Sequence, residues 1–330
     1  MKKFKYYLSI LTVWIMAGVL GCGRQEVPQE KEKLQIVCTI FPEYDWVKQI
    51  LGERLGEVEL TLLMTNGADL HSYQPTVWDM QKIADADLFL YVGGESDGWV
   101  EAALRYGGNP ERKTLNLLEI LGEAVKEEEH VEGMQTGRGH EHEEEEAEAD
   151  EHVWLSLRNA EVICEKVREV LCELDEAHRD LYWRQGETYV QKLKNLDLDY
   201  QNVVEQADSP VLLFGDRFPF RYLTEDYGIE YYAAFAGCSA ETEASFETIT
   251  FLADQTGALS LKAVLKIDGS DGKIARTIAG NTSSRDQKVL MLDSMQSVST
   301  QEIAQGTTYL SIMEQNLKVL SEAWEVTGGK

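Results

Sequence analysis

Positively charged residues are scarce in this chain: 31 Lys and Arg stand against 58 Asp and Glu among 330 residues, a net charge of −27. So acidic a surface repels phosphate backbones, which excludes nucleic acid as a partner and makes cations its natural ligands. Long apolar runs are also missing, since the run at residues 6–20 falls short of the ~20 residues that a bilayer span needs. The H-E-x-x-H helix motif of zinc hydrolases is absent, and proline is absent from residues 157–207. Cysteine numbers only five. Cys164 and Cys172 share a helical pattern that separates them by about 12 Å of rise, beyond the about 7 Å between Cα atoms that a disulfide tolerates. With Cys38 they read as buried small hydrophobes.

What is present is globular: 43% hydrophobic residues over this length can bury a sizeable core, and two domains fit. At the start, Lys2, Lys3 and Lys5 precede the apolar run, and Val19-Leu20-Gly21-Cys22 follows. This resembles a bacterial lipoprotein signal, which implies cleavage before Cys22, lipid on that cysteine, and a chain held on the outer face of the cytoplasmic membrane. An uncleaved N-terminal anchor is the alternative, and either leaves the rest outside the cytoplasm. Residues 1–22 are then the signal and 23–33 a polar tether.

Beyond the tether, short apolar runs alternate with amphipathic stretches: LQIVCTIF, YDWVKQILGERLG, VELTLLM, TVWDMQKIADA, DLFLYVGG and WVEAALRYG. The alternation returns from PVLLFG through KVLMLD to a final helix. This predicts an α/β fold with two doubly wound lobes, at 34–156 and 209–330. Residues 157–208 carry helical spacing throughout, predicting one long helix or two in series, a rigid rod linking the lobes around a cleft.

In open parallel sheets, ligands bind beyond the carboxyl ends of the strands. His71 follows VELTLLM, Asp293 ends KVLMLD, and His152 opens HVWLSLRN after an acidic loop at 126–151. Each alone is an ordinary capping or turn residue. Together, neutral imidazoles and a carboxylate suit Zn2+ or Mn2+.

These stretches resemble a known family. GADLHSYQPTVWDMQKIADADLFLYVGGESDGWVEAAL, the Asp150-x-His152-x-Trp154-Leu155 motif and the Asp293-Ser294 pair are similar to the metal-binding solute-binding lipoproteins of ABC transporters, the zinc and manganese receptors. The resemblance runs from about residue 34 to the C-terminus and implies His71, His152 and Asp293 as metal ligands. The family's third ligand, a His or Glu, aligns with Arg217, a guanidinium that cannot ligate. Asp216 beside it is the preferred replacement, Cys238 the second candidate and water a third; Arg217 would then pair with a carboxylate such as Glu243. His140 and His142 in the acidic loop either gather Zn2+ weakly or belong to a solvated charge run.

The function so implied is extracytoplasmic capture of Zn2+, with Mn2+ as the alternative, by a monomer that delivers the ion to a membrane permease. Metal would bias the lobes toward a closed arrangement. A metal-dependent hydrolase and an adhesin-type surface protein are the competing classes.

Overall fold

The computed structural model describes residues 33–65, 67–135, 148–239 and 243–326. The signal, Cys22 and nearly all of the tether lie outside the described residues, as do His140 and His142. From Leu34 onward the chain forms one compact unit.

Two four-stranded, all-parallel sheets carry the lobes. Strands β1 (Leu34–Cys38), β2 (Val58–Leu62), β3 (Leu88–Tyr91) and β4 (Lys113–Asn116) pair in the order β2-β1-β3-β4. Strands β5 (Val211–Phe218), β6 (Glu230–Ala236), β7 (Ala263–Ile267) and β8 (Lys288–Leu292) repeat that order as β6-β5-β7-β8. Each sheet reverses its winding between its two central strands, which opens a crevice at their carboxyl ends. The crossovers are helices α1 (Phe41–Leu51), α2 (Val77–Asp85) and α3 (Val100–Arg105), with α4 (Leu117–Leu121) after β4. The short pair β4 and α4 has no counterpart in the predicted alternation, because β4 is four residues long and buries only Leu115.

The first crossover also differs from expectation. LQIVCTIF reads as one strand, yet β1 stops at Cys38 and α1 starts at Phe41. Pro42 suits a first helical turn, where its missing N–H is not needed. Glu43 Oε2 accepts the backbone N–H groups of Thr39 and Ile40, which ends the strand and starts the helix. Glu43 is fully buried and its Oε1 has no partner.

The helical segment is two helices in series, the second of them long, and they fold back on each other. Helix α5 (Leu157–Leu174) and the 28-residue α6 (Arg179–Gln206) are joined by the short turn Glu176–His178. Arg158 bonds Asp197, Lys194 approaches Glu161, Gly186 abuts Arg168, and Cys172 Sγ contacts the Arg179 carbonyl. As one number rises the other falls, so the helices run antiparallel. Helix α6, about 42 Å long at 1.5 Å per residue, packs on α1, α5 and the last helix. Cys164 and Cys172 lie one behind the other on α5 as free, buried thiols, consistent with the rise argument.

In the second lobe come α7 (Arg221–Tyr227), α8 (Phe246–Ala258), α9 (Lys273–Asn281), α10 (Thr300–Ala304) and α11 (Tyr309–Ala323). Helix α11 closes the seam between lobes. Tyr309 N–H donates to Asp45 on α1, its ring meets Trp46 edge-on at 5.2 Å, and its hydroxyl donates to the Trp154 carbonyl. Trp154 Nε1 in turn donates to the Ser294 carbonyl. One apolar cluster runs through this seam from Ile36 to Leu320, so the lobes share a core.

Segment 126–135, the described start of the acidic loop, straps across the second lobe. Lys126 N–H donates to Tyr222, Glu129 takes Arg221 and Tyr231, and Gln135 N–H donates to the Ala234 carbonyl on β6. Strand β5 runs past PVLLFG through Asp216 and Arg217, with its pairing to β6 shifting between Phe214 and Arg217. Gly215 makes this possible, because a Cβ there would sit 2.4 Å from Ala275 Cα on α9.

Two outcomes follow. Gly215→Ala should cost about 1–3 kcal/mol by overpacking β5 against α9, read as a lower urea midpoint. Burial, then the charge of Asp97, pushes Glu43 up to about 8, so the fold holds a proton that the unfolded chain releases near pH ~4.3. Stability should therefore fall as pH rises from 5 to 8, and Glu43→Gln should flatten that slope in urea titrations.

Candidate metal centre

His71 sits on the one-turn helix Leu70–Ser72 just after β2, and the preceding Asp69 caps that turn by accepting the His71 N–H. Its ring Nδ1 lies 2.8 Å from Ser96 Oγ and 3.6 Å from Glu151 Oε2. His152 is fully buried at the start of the turn Val153–Leu155. Asp150 Oδ1 accepts both its backbone N–H and its ring Nδ1–H, each at 2.9 Å. The partner carboxylate fixes the His152 proton on Nδ1 and leaves the Nε2 lone pair free, the usual outer-shell arrangement for a metal-bound histidine. Tyr222, from the second lobe, donates to the Asp150 carbonyl and holds this turn from across the seam.

The two Nε2 atoms face each other 3.2 Å apart. Two nitrogens bound about 2.0–2.1 Å from a tetrahedral zinc stand about 3.3–3.4 Å apart, so the rings already have the spacing of two ligands of one ion. Burial, followed by the second imidazole, holds His71 down to about 4, so at neutral pH it is uncharged. With no ion, His71 can carry its proton on Nε2 toward His152; with an ion, the proton moves to Nδ1, toward Ser96 and Glu151.

Cys238 joins them. Among the described residues, His71, His152 and Cys238 form the group whose donor atoms all lie within 4.8 Å of one another. Cys238 follows β6, its N–H donates to Glu128 on the strap, and burial followed by the Glu128 charge pushes its thiol up. Gly237 beside it is required by closeness, since a Cβ there would stand 3.1 Å from His152 Cε1.

Among the described residues, the carboxylates of the second lobe do not complete a group of that spacing with the imidazoles. Asp293 is tied to its own loop: Oδ1 accepts the Met295 N–H, and Asn316 bonds its backbone on both sides. Burial and then Asp268 push it up to about 7. Asp216 is in β5, with Oδ1 on the Arg217 N–H and Oδ2 buried without a partner. Between the two candidates for the missing ligand, the geometry brings Cys238 rather than Asp216 to the imidazoles, because Asp216 is held in a strand that the alternation read as a loop. Arg217 is corrected as well. Its Nη2 donates to Asp69 at 2.9 Å, not to Glu243, which meets Gln135 through its carbonyl instead. Ser96, Asp69, Glu128 and Glu151 have supporting roles that the sequence left unmarked; Asp150 was visible as the partner two positions before His152.

Comparison with known proteins now bears on the chain. The family model for the zinc-uptake complex component A, periplasmic (ZnuA), matches residues 36–323. The chain belongs to this family. The zinc-binding protein AdcA of Streptococcus pyogenes is 25% identical across 99% of this chain, and the chain spans 62% of that relative's length. The high-affinity zinc uptake system protein ZnuA of Bacillus subtilis is 27% identical over 98% of both. Among solved structures, the Zn(II)-bound ZnuA-like domain of Streptococcus pneumoniae AdcA matches with a TM-score of 0.68 at 25% identity, covering 89% of this chain and 99% of that one. The metal-dependent lipoprotein YcdH from Bacillus subtilis matches with a TM-score of 0.71 at 26% identity, over 89% of this chain and 100% of that one. The two-lobed α/β architecture with its long helix is thus the fold of the ZnuA family.

The role of Asp150 can be isolated. Asp150→Asn, nearly isosteric, should weaken zinc binding by about 10–100-fold while leaving the thermal midpoint within a few degrees of the parent, measured by competition with a chromogenic chelator and by scanning calorimetry.

Proposed function

We propose that this chain captures a divalent transition metal outside the cytoplasmic membrane and delivers it to an ABC permease. The observation that carries the reading is the pair of imidazoles with Nε2 atoms 3.2 Å apart and Cys238 within 4.8 Å of both, a donor set and spacing suited to one ion. Membership in a zinc-uptake family supports transport over hydrolysis, and a receptor needs no catalytic step.

Zn2+ is the proposed cargo ahead of Mn2+. Two imidazoles and a thiolate form a soft donor set, whereas Mn2+ favours oxygen. His71, His152 and Cys238 are the proposed donors, with Asp293 as the carboxylate of the second lobe that completes the set and Asp216 as an accessory group. Because the lobes share a core, we assign the site a largely preformed geometry, with capture relying on local shifts of the loops after β2, β6 and β8.

No described helix is long and apolar enough to cross a membrane. Attachment through a lipid on Cys22 is the proposed anchor, and the molecule is proposed to act as a monomer. The lipoprotein relative AdcA of Streptococcus pneumoniae, 27% identical, supports the lipid anchor.

Calorimetric titration of the full chain should give sub-micromolar Zn2+ binding at one site, with Mn2+ weaker by at least tenfold. His71→Ala and His152→Ala should each lose at least 100-fold, Cys238→Ser and Asp293→Asn at least tenfold, and Asp216→Asn less than threefold. Failure of the chain to bind either metal below micromolar concentration sinks the receptor reading.

A further inference from the structure

His71 and Cys238 both line two separate cavities. One, of about 640 Å³, has Glu95, Glu148 and Glu151 in its wall and no Lys or Arg. The other, of about 650 Å³, holds more carboxylates, but Arg217 and Lys273 stand among them. Charge separates the two as routes for an ion. On the second, Arg217 is close enough for its charge to oppose a positive charge on His71, and Asp268 is already occupied by the N–H and O–H groups of Ser294 and Ser297. On the first, an arriving cation meets only negative and neutral groups, which raises its local concentration.

Exposed carboxylates alone would mean little on so acidic a surface, and the deciding group is a buried one. Glu151 is 2% exposed. Its Oε1 accepts the Ser96 N–H at 2.8 Å, while its Oε2 has no hydrogen-bond donor. Buried carboxylate oxygens are ordinarily satisfied, because a bare one is costly. His71 Nδ1 approaches this oxygen only to 3.6 Å and already meets Ser96 Oγ at 2.8 Å. The loop after β3 makes room for the carboxylate: Gly94 has a φ of +81°, and a Cβ there would lie 2.4 Å from Glu151 Oε1. The charge of Glu151 is also felt at Cys238, so this side chain borders the cavity and two of the metal donors at once. The cavity itself has room for an ion that still carries its first water shell, about 200 Å³ at about 30 Å³ per water.

We propose that this cavity is the port through which the divalent cation reaches the site, and that Glu151 Oε2 is the first protein atom to bind it directly. Glu95 and Glu148, both exposed, draw in the hydrated ion. Glu151 then displaces one of its waters, and the ion passes on to Cys238 and the imidazoles. The inference rests on the receptor reading above, and it gives Glu151 a task besides facing His71.

The test is stopped-flow mixing of the full, metal-free chain with Zn2+, read by tryptophan fluorescence, with dissociation followed separately by transfer to excess chromogenic chelator. Glu95→Gln combined with Glu148→Gln should slow association at least fivefold and leave dissociation within twofold. The same pair should flatten the dependence of the association rate on salt, which screens exposed charges. Glu151→Gln, which keeps an oxygen for the Ser96 N–H, should slow association at least tenfold, by more than it speeds dissociation. Glu243→Gln combined with Asp271→Asn, in the wall of the other cavity, should change association less than twofold. Unchanged association in the Glu95 and Glu148 pair, or slowing that follows the Glu243 and Asp271 pair instead, overturns the port and leaves the receptor standing. A Glu151→Gln chain altered only in dissociation makes that residue a positioner of His71 and overturns the handover. Absence of zinc binding by the parent chain overturns both readings.

Discussion

Two imidazoles pressed into the interior with their Nε2 atoms facing each other are the constraint on which the remainder of this structure turns. Buried polar groups cost free energy unless they are paired, and each ring spends its Nδ1 on a partner: Asp150 for His152, Ser96 and Glu151 for His71. Those partners are themselves held. Tyr222 bonds the Asp150 carbonyl, and the Ser96 N–H donates to Glu151 Oε1. The site is therefore oriented by a shell that reaches into both lobes.

That shell is continuous with the packed seam between the lobes. Here Trp154, two residues beyond His152, bonds Ser294 in the second lobe, and Tyr309 bonds both Trp154 and Asp45. The same chain of contacts positions the ligand-bearing turn and fastens the lobes together, so geometry at the metal is inseparable from packing at the interface. The antiparallel pair α5 and α6 braces that arrangement from behind.

Much of this was legible in the residues. Parallel strands buried on both faces write near-continuous apolar runs, which is why seven of the eight described strands could be read, and His71, His152 and Asp293 stood out because they follow such runs. What stayed hidden depends on distance along the chain. Nothing local marks Glu128 as the partner of the Cys238 N–H, or Asp69 as the partner of Arg217, since those pairs are made by folding. Helical periodicity over residues 157–208 records which face is buried but not that the chain doubles back at Asp175. Strand β4 was too short to show a period, and the apolar run PVLLFG ends before Asp216, whereas the strand continues through it past a close-packed helix.

The strap at residues 126–135 has a consequence of its own. Strand β6 is an outer member of the second sheet, and an uncovered outer strand presents unpaired amide and carbonyl groups that invite a foreign chain to add on. By taking the Ala234 carbonyl with its Gln135 N–H, the strap occupies part of that border. A segment that reads as the root of an acidic loop thus also shields the protein from edge-to-edge self-association.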